Sequence, residues 1–318
     1  MFKILNAESI NYSAAATEKL KTIGDVDMLN LNYDLLKKKI HNYDILITRL
    51  GIEINKNLLQ EAKNLKIIVS ATTGLNHIDV EYARKKNIKI LSLRNEKKFL
   101  KQIHATAELT LCLILCLSRN IIPSYKSVCN FEWDRTKFIG NELKNKTLGI
   151  IGFGRVGKQV AKYAKTFSMK IIYYDPKVNI NSKNIKKIKS LKNLLVNSDI
   201  ISLHINFSKK NIKFIDKKKI ELFKKNCLFI NTSRGNLVDE KFLIEALKSK
   251  KISGVALDVI YDEFNKINKN IIIKNLSKNF NLIVTPHIGG ASFDSMKATE
   301  EFMADKLNNY LQSNKLFN

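Results

Sequence analysis

Gly152-Phe153-Gly154-Arg155-Val156-Gly157 closes the apolar run Leu148 to Ile151 and opens a helix-competent segment, Gln159 to Phe167. Glycines at this spacing between a strand and a helix do a specific job. The first makes the tight turn, the second lets backbone approach a pyrophosphate, and the third lets helix pack on strand. The N–H groups freed at the helix start, from Arg155 and Val156 onward, then face the anion. A second apolar run, Lys170 to Tyr174, ends on Asp175, about 20 residues beyond the first glycine, where an acid accepts hydrogen bonds from a ribose 2′-hydroxyl. A carboxylate there repels a 2′-phosphate, so the pattern favours NAD over NADP, with Lys177 close by as the opposing feature.

Three polar residues follow apolar runs farther along: Arg234 in Asn231-Thr232-Ser233-Arg234-Gly235, Glu263 after Ala256-Leu-Asp-Val259, and His287 in Thr285-Pro-His-Ile-Gly289. Reversible hydride transfer to a 2-keto acid needs a cation for the carboxylate, a proton donor for the forming alkoxide, and an acid that sets that donor. Arginine supplies a bidentate fork. Histidine gives and takes a proton near neutrality. A neighbouring carboxylate favours imidazolium and fixes the ring. Singly, the three read as a surface ion pair, a solvated acid and a core histidine. Ligands of a doubly wound sheet bind outside the carboxyl ends of its strands, and that shared placement gives the trio its meaning.

The elements that must position these residues alternate regularly. Strands are predicted at Phe2 to Asn6, Val26 to Asn30, Asp44 to Thr48, Ile67 to Ala71 and Ile88 to Leu93, with helices at Ala14 to Thr22, Tyr33 to His41, Lys56 to Ala62 and Val80 to Lys86. A long helix, Phe99 to Leu117, leads out. The rhythm restarts at Leu148, with strands at Lys170 to Tyr174, Ile200 to Ile205, Cys227 to Asn231, Gly254 to Val259 and Leu282 to Thr285. Helices fall at Lys192 to Asn197 and Glu240 to Lys248, and a last one, Ser295 to Leu311, could pack back on the first part. Such alternation implies α/β architecture with two parallel sheets. The Lys-rich stretch Lys183 to Lys192 reads as a solvated face.

With 318 residues, the chain has room for two domains with sizeable cores. An apolar share of 45% and a charged share of 26% are those of a globular protein. The net charge of +26 comes from Lys spread along the whole length, which makes it a solubility and steering term that attracts acidic metabolites, without a specific nucleic-acid site. Cys112, Cys116, Cys129 and Cys227 fit no zinc spacing and no disulfide framework, pointing to a reducing cytoplasm. The apolar stretch Leu109 to Leu117 is short of the roughly 20 residues needed to span a bilayer. No membrane partner is expected.

Five segments resemble, in order, the D-isomer-specific 2-hydroxyacid dehydrogenases, including the D-3-phosphoglycerate dehydrogenases: Ala71-Thr-Thr-Gly-Leu-Asn-His-Ile-Asp79, Gly149 to Gly157, Phe229 to Asp239, Gly254 to Val259 and Thr285 to Gly290. The resemblance implies a Rossmann nucleotide-binding domain, residues 100–289, inserted in a flavodoxin-like substrate domain, residues 1–99 with 290–318. It also implies a cleft between the domains and a homodimer formed through the nucleotide domain. It assigns Arg234, Glu263 and His287 to catalysis. To NAD it assigns Gly152, Gly154, Arg155, Val156, Gly157, Asp175, His204, Thr232, Asp258 (at the nicotinamide carboxamide) and His287. To the substrate it assigns Thr73 and Gly74, Arg234 and Arg49.

Departures from the family pattern are informative. Phe264 follows the acid where the family has Pro, and Phe264 to Asn281 is longer than usual, which keeps Asp262 as a rival to Glu263. His204-Ile-Asn-Phe-Ser208 lacks a usual Pro. Formate dehydrogenases replace the acid of the His pair with Gln, so Glu263 argues against formate. Arg49 and Arg135 resemble anion-binding arginines of phosphoglycerate dehydrogenases, whereas Ser70 stands where those enzymes commonly carry another Arg. D-3-phosphoglycerate and glyoxylate or hydroxypyruvate all remain candidate substrates. A nucleotide-sensing corepressor without turnover is the alternative from another class.

Overall fold

The computed structural model describes residues 1–180, 182, 184–264, 267–276 and 280–314. The chain forms two compact units, Met1–Ile103 with Ala291–Asn318, and His104–Gly290. These bounds lie a few residues from the expected 99/100 and 289/290.

The first unit is built on β1 (Phe2–Asn6), β2 (Gly24–Met28), β3 (Ile45–Thr48), β4 (Ile67–Ser70) and β5 (Lys89–Ser92), ordered β2-β1-β3-β4-β5 with every pair parallel. That is the flavodoxin-like order. Strands covered on both faces read as continuous apolar runs, and β3 and β4 are buried at every position. Alternate side chains feed two cores: Ile4, Ile45, Ile47, Ile67 and Val69 on one face, Leu5, Leu46 and Ile68 on the other. The C-terminal helix Phe293–Ser313 returns to the first face and buries Met303, Ala304, Leu307 and Leu311 there.

The second unit carries β6 (Thr147–Ile151), β7 (Lys170–Tyr174), β8 (Ile185–Lys187), β9 (Ile200–Leu203), β10 (Cys227–Asn231), β11 (Ile252–Leu257) and β12 (Leu282–Val284). Their order is β12-β11-β10-β9-β6-β7-β8, all parallel, the doubly wound order extended by one strand. The order reverses between β6 and β9, so their carboxyl ends flank the crevice where nucleotides bind in such sheets.

Two local readings are corrected, and one helix is added. The Lys-rich stretch expected as a solvated face contains the edge strand β8: Ile185 packs on one core and Ile188 on the other, while Lys186, Lys189 and Lys192 are exposed. Lysine on a short edge strand also blocks further strand pairing. The helix expected over Phe99 to Leu117 is two, Lys97–Leu100 and Ala105–Ser118, with the break at the boundary between the units. Ile121–Cys129 forms a further helix, with Pro123 in its first turn, where its missing N–H costs nothing. The stretch Lys97–Ser118 has the length and hydropathy of a membrane span, but Ala107, Leu113, Ile114 and Leu117 are core residues of the second unit.

Candidate active site

At the end of β6, Gly152 adopts φ +90°, and its N–H donates to Tyr174 O at 2.9 Å. A Cβ there would stand 2.6 Å from His204 O, so only glycine makes this turn. Phe153 is buried and stacks on Tyr173 at 3.9 Å between centroids, pinning the turn to β7. Gly154 caps the helix Arg155–Thr166. A Cβ at Gly154 would meet nothing within 4 Å, so the backbone is open at the point where helix N–H groups lack intrahelical acceptors. That cradle fits a pyrophosphate. Gly157 lies against the Gly152 carbonyl, which a side chain would prevent.

Asp175 is knitted into the same turn. Its Oδ2 accepts from Phe153 N–H at 2.8 Å, and its Oδ1 from the N–H groups of Lys177 (2.8 Å) and Val178 (3.2 Å). Three of roughly four acceptor positions are taken, leaving one for a ribose hydroxyl. His204, at the end of β9, is hydrogen bonded through Nε2 to Ser202 Oγ at 2.8 Å, and burial pushes its pKa down to about 3. It is a neutral ring at physiological pH. Thr232, expected at the cofactor, is buried and pairs its hydroxyl with Thr110 Oγ1 at 2.9 Å, tying β10 to the helix Ala105–Ser118.

Arg234 follows β10 on a turn that Asn231 holds: Ser233 N–H donates to Asn231 Oδ1 (2.9 Å), and Asn231 Nδ2 donates to Arg234 O (2.9 Å). Arg234 Nη1 donates to Ser233 O at 2.6 Å. Burial lowers the guanidinium's pKa, and the nearby carboxylates of Glu263 and Asp258 oppose that shift, which places all three groups in one electrostatic neighbourhood. Gly235 brings the segments together. Its ideal Cβ would lie 2.0 Å from Ile260 C and 2.4 Å from Tyr261 N, so backbone meets backbone just before the acid.

Glu263 Oε1 lies 2.8 Å from His287 Nδ1. A carboxylate accepts only, so the proton sits on Nδ1, and Nε2 is the nitrogen that exchanges protons with a ligand. Glu263, rather than its rival Asp262, is thus the partner of His287. His287 adopts φ +55° and donates its N–H to Asp258 O and Thr285 O, both at 2.9 Å. The Asp258 carboxylate is the post around which this turn winds: Oδ1 accepts from Thr285 Oγ1 (2.6 Å) and Ile288 N–H (2.8 Å), and Oδ2 from Gly289 N–H (2.8 Å). Asp258, which the resemblance gives to the nicotinamide carboxamide, thus also holds the turn that bears His287.

Sequence reasoning did not single out Asn231 or Glu240. Buried Glu240 accepts from Tyr261 N–H (2.6 Å) through Oε1 and from Asn270 Nδ2 (3.0 Å) through Oε2, anchoring the segment that bears Glu263. Burial raises its pKa to about 7, against the hydrogen bonds from Tyr261 and Asn270 and with a further upward push from Asp239. An acid directly following Asp239 in a strand-to-helix turn was the available signal.

In the first unit, the loop after β4 is set by a hydrogen-bond chain: Ser70 Oγ to Thr72 Oγ1 (2.9 Å) and to His77 Nε2 (3.2 Å), and Thr72 Oγ1 to Gly74 O (2.8 Å). Among the described residues, the N–H groups of Thr73, Gly74 and Leu75 donate to no protein acceptor. Three consecutive N–H groups without a protein acceptor leave this loop able to donate to an anion. Arg49, expected at the substrate, carries contacts of its own within the first unit. Its guanidinium is paired with buried Glu300 and donates to Ile10 O (2.8 Å), so it is a structural ion pair of the first unit.

Residues 111–289 match the family described as D-isomer specific 2-hydroxyacid dehydrogenase, NAD binding domain. The chain belongs to the D-isomer-specific 2-hydroxyacid dehydrogenases. Within that family it is 37% identical over 284 residues to the glyoxylate reductase of Thermococcus litoralis, covering 86% of this chain and 82% of that protein. It is 36% identical over 316 residues to the D-3-phosphoglycerate dehydrogenase of Methanocaldococcus jannaschii; this covers 98% of the chain but only 58% of that longer protein. Among solved structures, D-lactate dehydrogenase from Aquifex aeolicus, complexed with NAD and lactic acid, superposes with a TM-score of 0.82 at 26% identity, covering 98% of this chain and 96% of that one. The dehydrogenase family and its NAD-binding domain agree with the glycine cradle, and the chain is an NAD-dependent oxidoreductase.

Proposed function

We propose that this dehydrogenase moves a hydride between the nicotinamide of NAD and C2 of a small D-2-hydroxy acid or its 2-keto acid, with Arg234, Glu263 and His287 performing the protein's part. The observation that carries the reading is the 2.8 Å Glu263–His287 pair beside Arg234. When bound, the nicotinamide supplies or accepts the hydride. Arg234 holds the substrate carboxylate through its fork and turns C2 toward the ring. His287 Nε2 gives its proton to the carbonyl oxygen as that oxygen becomes an alkoxide, and takes it back in the reverse direction. Glu263 keeps Nδ1 protonated and stabilises the imidazolium. The Thr73–Gly74 loop is assigned to the substrate carboxylate, supported by its free N–H groups.

His287→Ala should lower turnover by roughly 10²- to 10⁴-fold, the usual loss for an acid–base group, while NADH still binds by fluorescence titration. Turnover equal to wild type would remove this mechanism. We further propose a homodimer formed through the second unit, supported by Tyr125, Phe131 and Trp133, exposed to 68%, 100% and 90% in the single chain. Sedimentation should show a dimer that Trp133→Asp converts to monomer. A monomeric wild type would contradict it.

A further inference from the structure

We infer that Asn270, in the long segment that follows Glu263, is a positioning residue: together with Glu240 it clamps the backbone of Tyr261 from both sides and so holds the Glu263 carboxylate on His287. This rests on the catalytic reading above and deepens it.

Glu263 reaches His287 from an unusual stretch of backbone. Tyr261 is exposed, Asp262 adopts φ +57°, and Phe264 follows the acid. Left-handed backbone outside glycine persists where the surrounding structure over-determines it. A proline after the acid would fix its own φ and bias the acid toward extended backbone. Phenylalanine does neither, so the turn needs another restraint.

The segment beyond Phe264 supplies it. Tyr261 N–H donates to Glu240 Oε1 at 2.6 Å, and Tyr261 O accepts from Asn270 Nδ2 at 2.9 Å. The same Nδ2 donates to Glu240 Oε2 at 3.0 Å, which closes a ring of three hydrogen bonds around Tyr261. Both jaws are fixed. Glu240 is buried at the start of the helix Glu240–Lys248. Asn270 Oδ1 accepts from Ile272 N–H at 2.8 Å, and Ile272 is a core residue of the second unit, with Ile273 and Leu276 packed against the same core. The extra length thus delivers an amide to the turn and anchors it there.

From Tyr261 the restraint passes through Asp262 to Glu263, 2.8 Å from His287 Nδ1. Arg234 stands on a separate turn, held by Asn231. Opening the clamp therefore loosens the acid from the histidine and leaves the carboxylate-binding arginine in place. An interaction that matters only as the proton moves lowers kcat and leaves KM alone.

The test is a double-mutant cycle with NADH and glyoxylate or hydroxypyruvate, in wild type, Asn270→Ala, Glu263→Ala and the combined variant, with NADH affinity measured by fluorescence. Asn270→Ala should lower kcat by about tenfold or more, with KM for the keto acid and Kd for NADH within about threefold of wild type. In the Glu263→Ala background the same substitution should cost less than about twofold, because the group it positions is gone. Unchanged kcat in Asn270→Ala, or losses that simply multiply in the combined variant, overturn the inference and leave the catalytic reading standing. Wild-type turnover in Glu263→Ala removes the catalytic reading and the inference with it. If Asn270→Ala fails to fold, Glu240→Gln carries the same cycle, since its amide can still accept from Tyr261 N–H while its NH₂ faces Asn270 Nδ2 donor to donor.

Discussion

Asp258→Asn offers the sharpest test of how the site is held. The change is isosteric and converts one acceptor oxygen to an amide. Asp258 is 1% exposed, and its oxygens accept from Thr285 Oγ1, Ile288 N–H and Gly289 N–H. Keeping the asparagine oxygen on the two-bond side sets its NH₂ against the buried Gly289 N–H, donor facing donor. One charge-assisted bond, about 1.5–3 kcal/mol, is lost and one buried N–H is left unsatisfied at about 1–3 kcal/mol, so the cost is roughly 3 kcal/mol. For a unit of this size that lowers Tm by about 5–10 °C. His287 sits in the left-handed region on this turn, and displacing it by about 1 Å should reduce kcat by about 10²-fold. Thermal unfolding followed by circular dichroism, with steady-state kinetics, measures both. If Asp258 served only a nicotinamide contact, the variant would melt with wild type and lose NADH affinity instead. That outcome would refute the turn-holding argument.

Two glycines should respond in opposite ways. Gly154→Ala adds a methyl that meets no protein atom, so melting should shift by under about 2 °C while Kd for NADH rises at least about tenfold. Gly152→Ala forces a side chain into φ +90° and against His204 O, and should destabilise the fold by at least about 2 kcal/mol; equal NADH affinity in Gly154→Ala would exclude that glycine from the cradle. Glu240 gives a pH signature. Its folded pKa, about 7, lies above the ordinary 4.5, so the folded state holds the proton more tightly and this group's contribution to stability is lost as pH rises from about 4.5 to 7. Two to three units at 1.36 kcal/mol each amount to about 3 kcal/mol. The stability of Glu240→Gln relative to wild type should therefore rise across that window and level off above it. A difference that does not change with pH would show that Glu240 is not perturbed.

Most of the architecture was legible because strands buried on both faces must be continuously apolar, and short runs such as Ile67–Ser70 and Cys227–Asn231 alternate with helical stretches. The edge strand Ile185–Lys187 escaped, since an edge needs only a few inward side chains and its lysines imitate a solvated loop. The glycine turn, Arg234, Glu263 and His287 were readable from residue type and position after strands.

Arg49 shows where that kind of reading stops. Its position at a strand end and its charge suggested a ligand contact, but its counter-ion Glu300 stands 251 residues away on the returning C-terminal helix. Sequence alone determined which chemistry the chain carries, because strand ends and phosphate turns are local patterns set by backbone geometry. Only the tertiary structure decided which charges are free to act. Pairing between Arg49 and Glu300, the winding of the His287 turn around Asp258, and the Glu240 anchor all depend on burial and on partners brought together from distant parts of the chain.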